Sequence, residues 1–218
     1  MYAALIFAAF GMTACDGQEE KKESDDTSKE QEVKEMNYVL NAESSSLEWR
    51  GAWIAPGEDG EMMEAKHHTG TVQISDGEVT VKGDDVSGTF TIDMSTIENT
   101  DLEEEDGKGN LESHLKGQSE DKEDHFFRVS EFPTAEVTLN SLKDGVADLT
   151  INVLGIDVNE KVNVETTMEG DKMMMHGEFD VDFAALSMPM TTPNPEKPED
   201  GHVNPKIGFI LHVDMDKK

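Results

Sequence analysis

Alternation of apolar and polar residues dominates the C-terminal four fifths of the chain and predicts β-strands. In one such stretch, Phe90, Ile92 and Met94 share one face, and threonine and aspartate occupy the other. The final stretch, from Ile207 to Met215, repeats the pattern over its whole length. About eight segments of this kind are separated by short turns, so we expect neighbouring strands to pair antiparallel.

The apolar faces of these strands must be buried, and this requirement limits the architecture. A two-sheet sandwich and a closed barrel both satisfy it, so the pattern alone predicts an all-β fold. Residues 99–132 lack a two-residue period and predict short helical turns over one end of the sheet. The proline-rich segment 189–200 predicts a loop, because proline cannot donate to a strand ladder. A Ser-Asp-Gly sequence at 75–77 predicts a hairpin turn.

An uncharged apolar run at residues 2–14 precedes Cys15, the only cysteine of the chain. The run is shorter than the roughly 20 residues that cross a bilayer as a helix, and it has the length of a secretory signal core. Small residues stand just before the cysteine. We therefore expect residues 1–14 to be a lipoprotein signal segment, with Cys15 acylated after cleavage. An ordinary cleaved signal with an incidental cysteine is the alternative.

Residues 15–36 contain almost no apolar side chains and predict a flexible acidic tether, since such a segment buries too little surface to offset its ordering entropy. The folded domain is expected over residues 37–218. With one cysteine, the chain can form no internal disulfide. Localisation in the bacterial cell envelope follows from Cys15, with the protein anchored in a membrane and facing the periplasm or the outer surface.

The 218 residues carry a formal net charge of −30. This charge argues against nucleic acid as a partner, because phosphates require lysine and arginine. It also argues against docking on anionic lipid through a basic patch. No protein partner is indicated by the composition.

Several short sequences occur in a fixed order along the middle of the chain: GTFTIDMSTI at 88–97, LESHLK at 111–116, HFF at 125–127, FPTAEV at 132–137 and DLTI at 148–151. Over roughly residues 38–215 this series resembles the YceI-like family of periplasmic lipid-binding proteins. The resemblance implies a single antiparallel eight-stranded barrel, lipocalin-like, with an elongated apolar cavity. It further implies a non-covalent isoprenoid ligand, such as a quinone or a polyprenyl chain, and no cofactor attached beyond the lipid at Cys15.

The resemblance and the strand pattern together identify a set of inward-facing residues that would line the cavity. These are Trp49, Phe90, Ile92, Met94, Leu111, Leu115, Phe126, Phe127, Val137, Leu139, Leu149, Ile151, Phe179, Phe209 and Leu211.

The chain departs from the family pattern at two places. Residues 117–123 form an acidic insertion, and Phe183 and Ala184 follow Asp182 where many relatives carry arginine and threonine. A head-group role that depends on that arginine therefore does not transfer.

The expected function is that of an envelope lipoprotein that binds, stores or carries an isoprenoid lipid, with no catalytic or metal-binding residues. Two other classes remain open at this level. One is an acidic adhesion or structural module. The other is a lipid- or sugar-modifying enzyme with Asp93 or His114 as its acid or base. A solid core is the alternative to a cavity, because apolar stripes are mostly core.

Overall fold

The computed structural model describes residues 34–218, and eleven strands within this range form one antiparallel sheet. The strands are β1 Glu35–Leu40, β2 Ser46–Pro56, β3 Met62–Lys82, β4 Asp85–Asn99, β5 Thr134–Lys143, β6 Val146–Val153, β7 Ile156–Asn163, β8 Glu165–Glu169, β9 Lys172–Asp182, β10 His202–Val203 and β11 Lys206–Lys217.

Strand pairing curls the sheet around a common interior. The order β7-β6-β5-β4-β3 leads to β1 and β2, which both pair with β3 and with β11, and β11 pairs in turn with β9. β8 pairs with the other edge of β9. A hydrogen bond from the backbone of β9 to a side chain of β7 links these two strands: the Asp182 N–H donates to Glu160 Oε1 over 3.1 Å.

The all-β antiparallel fold is confirmed, but the expected count of eight strands is wrong. β1, β8 and the two-residue β10 add to the longer strands, and a single residue, Val164, separates β7 from β8. β1 begins two residues before the expected domain boundary at 37. Alternation indicates strands, but it does not show where a strand bends.

The predicted hairpin at 75–77 is also wrong, because β3 continues through it. Ile74 pairs with Ile92 and Asp76 pairs with Thr91, so Ser75 is the extra residue of a β-bulge. Gly77 follows because a Cβ there would overlap the ring of Phe90. The turn-forming residues therefore bend the strand instead of reversing it.

The end of the sheet that contains the β3–β4 hairpin is solidly packed, and we call it the closed end. Full burial of a large apolar side chain stabilises a fold by about 1.5–3 kcal/mol relative to its exposure. The most buried members of the closed end are at most 3% exposed: Tyr38, Val79, Val81, Met173 and Met215.

The opposite end is covered by residues 99–132, which we call the cap. As predicted, this segment contains short helices: a 3-10 turn at Glu104–Asp106 precedes the helix α1, Lys108–Leu115. Two further 3-10 turns, Pro189–Thr191 and Pro198–Asp200, occupy the proline-rich loop. Among residues 34–218, no helix is long and apolar enough to cross a membrane.

The side chain of Asn99, which is fully buried, fastens the cap to the sheet. Its Nδ2 donates to Thr69 O over 2.9 Å and to Asp101 Oδ1 over 2.6 Å, and its Oδ1 accepts from Leu102 N over 2.9 Å. The Asn99 N–H donates to Glu112 Oε1 on α1 over 2.9 Å. One residue thus joins β3, β4 and α1.

We expect Asn99→Ala to lower the free energy of unfolding by about 1–3 kcal/mol, because the substitution removes a fully buried side chain whose Oδ1 accepts from the half-buried Leu102 N–H. Urea denaturation followed by circular dichroism measures the change. Asn140→Ala is the matched control, since the exposed Asn140 Nδ2 also donates to two side chains, Asp148 and Thr150. Equal losses in the two variants would contradict the fastening role of Asn99.

Candidate binding cavity

A cavity of about 220 Å³ lies inside the curled sheet. It exceeds the roughly 150 Å³ apolar cavity that holds benzene, and it is smaller than the roughly 300–1,000 Å³ of typical ligand pockets. The interior is therefore hollow in part, and the alternative of a solid core is wrong for this region.

Fourteen of the fifteen residues expected to line the cavity lie on its wall. The exception is Leu111, which is a correction: it is half-buried one helical turn before Leu115, and of the two only Leu115 reaches the wall. Contact of these side chains with a ligand stays a prediction. The fourteen are Trp49, Phe90, Ile92, Met94, Leu115, Phe126, Phe127, Val137, Leu139, Leu149, Ile151, Phe179, Phe209 and Leu211.

Sequence reasoning missed the part of the wall that comes from the segment between β9 and β11. This segment contributes Phe183, Met188, Thr191 and Val203. Its residues carry no two-residue period, so their direction depends on the 3-10 turns Ala184–Leu186 and Pro189–Thr191. No pattern in the sequence indicates those turns individually.

An aromatic row crosses one side of the wall. Trp49 on β2 is directly opposite Phe209 on β11, which is directly opposite Phe179 on β9. The ring centroids of Phe179 and Phe209 are 6.2 Å apart, and Phe183 meets Phe209 edge-on at 6.2 Å. Gly70 leaves room for Trp49, because a Cβ there would overlap the indole.

The wall has two side chains with polar atoms, and both are bonded to the backbone. Trp49 Nε1 donates to Thr71 O over 3.2 Å, and Thr191 Oγ1 donates to Met188 O over 2.9 Å. All other wall residues are aliphatic, aromatic or thioether side chains. Such a surface offers water few partners and favours hydrocarbon.

The cap contributes Leu115, Phe126 and Phe127 to the wall. Beside them, His114 Nε2 and His125 Nδ1 share a hydrogen bond of 2.9 Å. The ring of His114 also meets that of Phe126 edge-on, with centroids 5.0 Å apart. Burial lowers the pKa of His114, and the charges of the nearby His125 and Lys122 lower it further.

The residues considered for catalysis do not converge on the cavity. Asp93 is on the outer face of β4, where its Oδ1 accepts from Ser95 N and Ser95 Oγ. His114 is held by His125, as described above. Within residues 34–218, no three His, Cys, Asp or Glu side chains are grouped as metal ligands. The signal segment, Cys15 and nearly all of the tether lie outside the described residues.

The fold and the cavity define an all-β protein with an apolar interior site. The model of the YceI-like domain matches residues 38–213, and the chain belongs to the YceI-like family. No curated protein sequence matches the chain.

Two solved structures show the same fold. The structure of BcnA from Burkholderia cenocepacia has a TM-score of 0.55 and 13% sequence identity, over 80% of this chain and 98% of that chain. A polyisoprenoid binding domain from Saccharophagus degradans, implicated in plant cell wall breakdown, has a TM-score of 0.52 and 12% identity, over 83% and 98%.

We expect Val137→Phe to change the free energy of unfolding by less than about 1 kcal/mol, because the larger side chain enters existing space. Val79→Phe at the closed end is the matched control and should cost about 1–3 kcal/mol through overpacking. Denaturant midpoints measure both changes. A loss at Val137 as large as that at Val79 would show that this part of the interior is filled.

Proposed function

We propose that this protein binds an isoprenoid lipid, of the quinone or polyprenyl type, in the cavity of the curled sheet. The observation that carries the proposal is the wall itself, on which both side-chain polar groups are bonded to backbone carbonyls. The polyisoprenoid binding domain of Saccharophagus degradans, which shares the fold, supports the choice of ligand class. The proposal assigns no catalytic residue.

The chemistry of the wall determines which part of the lipid enters. A charged or hydrogen-bonding head group would leave water without gaining a free partner, which costs several kcal/mol. A hydrocarbon chain loses nothing of that kind and gains about 0.8 kcal/mol for each methylene removed from water. The hydrocarbon chain of the lipid therefore occupies the cavity, and the head group of the lipid stays near the opening of the cavity.

The volume of the cavity requires the wall to adapt to a long chain. A space of about 220 Å³ accommodates a ring-sized hydrocarbon group, and a polyprenyl chain is several times larger. The thioethers of Met94, Met175 and Met188 are on the wall and can adjust to irregular shapes. Further space comes from movement of the cap side chains Phe126 and Phe127.

Energetics favour a carrier or reservoir over a tight receptor. At about 0.8 kcal/mol per methylene, a chain of about forty carbons would gain roughly 30 kcal/mol relative to water. No known complex exceeds about 18–21 kcal/mol, so water is the wrong reference. The lipid starts in a membrane, and the protein competes with that membrane for it. The net affinity is therefore modest.

Attachment to the membrane forms the second part of the proposal. We place an acyl anchor on Cys15 and the protein in the bacterial cell envelope, on the basis of the apolar run at 2–14 and its junction with the cysteine. An anchored protein meets its membrane-resident ligand at a high local concentration.

A short-chain isoprenoid quinone should quench the fluorescence of Trp49, because this indole is on the cavity wall and Trp53, the other tryptophan, is not. Titration of Trp53→Phe should retain the quenching, and titration of Trp49→Phe should lose most of it. Equal quenching in the two variants would indicate that the quinone binds elsewhere. The absence of quenching in the unmodified protein would contradict the proposed lipid-binding function.

Cys15→Ser should abolish incorporation of an alkyne-labelled fatty acid in a bacterial host and move the protein from the membrane fraction to the soluble fraction. The result is unambiguous because the chain contains no other cysteine. Unchanged incorporation of the labelled fatty acid into Cys15→Ser would contradict an acyl anchor at this residue.

A further inference from the structure

We propose that His114 and His125 form an acid-sensitive latch, which holds the cap closed over the cavity at neutral pH and releases it when both imidazoles are protonated. The consequence for the ligand, faster release in acid, rests on the proposed lipid-binding function. The latch itself is a property of the cap and is testable without any ligand.

The hydrogen bond between the two rings imposes a limit on their protonation. His114 Nε2 and His125 Nδ1 are 2.9 Å apart, so one nitrogen must donate and the other must accept. A neutral pair and a singly protonated pair both satisfy this condition. A doubly protonated pair does not, because both nitrogens of an imidazolium are donors. Two like charges would then also face each other at close range.

Positive charges near His114 disfavour its protonation while the cap is closed. The groups that act on His114 are His125 and Lys122, and all three are cationic once protonated. On β4, which contacts α1, Glu98 is paired with Lys108 over 2.8 Å. On α1 itself, Glu112 accepts the backbone N–H at the end of β4.

Other charged groups near the cap are engaged or solvated. Asp101 Oδ2, at the start of the cap, is 2.9 Å from His68 Nδ1 on β3. Arg128, on the segment that returns to α1, is within 3.4 Å of Glu131. The hydrogen bond with Glu98 raises the pKa of Lys108, and Glu104, on the 3-10 turn before α1, adds to this shift. The same bond lowers the pKa of Glu98, and Lys116 adds to that shift. The carboxylates of the 117–124 segment are exposed at residues 120, 121, 123 and 124. None of these groups is a direct hydrogen-bond partner of the pair.

The latch is connected to the cavity through neighbouring residues. Phe126 directly follows His125, is 7% exposed and forms part of the wall. The same segment is attached to α1 by the Phe127 N–H, which donates to Leu115 O over 3.1 Å, and both residues line the cavity. Separation of the histidines therefore pulls on wall side chains.

The direction of the pH effect follows from proton uptake. In the closed cap, burial holds the pKa of His114 below its usual value near 6.5. In an open cap, the exposed imidazole regains that usual value, so the open form binds more protons. The contribution to closure is complete above about pH 6.5 and is lost as the pH falls through the lowered pKa.

Amide hydrogen exchange at Phe127, measured by NMR on the ligand-free protein, provides the decisive test. We expect the protection factor, corrected for intrinsic rates, to fall roughly threefold or more between about pH 7.5 and about pH 5. In the double variant His114→Gln and His125→Asn, the amides replace Nε2 and Nδ1 without titrating, so the protection factor should stay constant.

A second histidine pair supplies a matched control. His176 on β9 and His212 on β11 are directly opposite on the outer face of the sheet, with ring centroids 6.4 Å apart. The double variant His176→Asn and His212→Gln should respond to pH as the unmodified protein does. A constant protection factor in the unmodified protein would overturn the latch. So would an undiminished pH response in the His114/His125 variant.

Dissociation of the neutral dye N-phenyl-1-naphthylamine separates this proposal from the lipid-binding function. We expect the dissociation rate of the dye to rise at least about threefold over the same pH interval in the unmodified protein and to stay constant in the His114/His125 variant. If the dye never binds, the cavity function fails, and the exchange experiment still decides the latch. A dye that dissociates at the same rate at both pH values would overturn acid-driven release.

Discussion

Burial of apolar side chains at the closed end is the constraint on which the rest of the structure depends. The single cysteine excludes an internal disulfide, so this sheet is held by its core and its ladders. A cavity of about 220 Å³ costs roughly 5 kcal/mol at about 24 cal/mol per Å³. That cost is comparable with the whole stability of a small domain. The dense cluster around Tyr38 and Met215 offsets it.

The two ends of the sheet are stabilised by different interactions. Apolar packing fixes the closed end, where exposure of any core residue would cost a large part of the stability. The cap combines polar contacts, namely the hydrogen bonds of Asn99 and the histidine pair, with a smaller apolar contact made by Phe126 and Val129. Hydrogen bonds can be exchanged for water at a net cost of about 0.5–1.5 kcal/mol each. In the proposed latch, the cap opens while the closed end stays intact, and this opening would admit the proposed lipid.

The sequence predicts the inner wall well where strands are regular, because the direction of a strand side chain follows directly from its position. Phe90, Ile92 and Val137 are examples. It fails where tertiary contacts decide the direction. Ser75 could equally start a turn or form a bulge, and pairing with β4 selects the bulge. His114 and His125 are eleven residues apart, and only the return of the chain to α1 brings their rings together.

The position of β1 relates the proposed anchor to the proposed latch. Glu35 pairs with Lys82 beside the β3–β4 hairpin, so the chain enters the sheet at the closed end. The cap is at the other end of β4, which has 15 residues and a length of about 45–50 Å at roughly 3.3 Å per residue. The twenty residue-to-residue steps from Cys15 to Glu35 can span at most about 70 Å. This span exceeds the length of β4, so an acyl anchor on Cys15 would permit the cap to reach the membrane surface. Lipid exchange through the cap is therefore compatible with attachment at the far end.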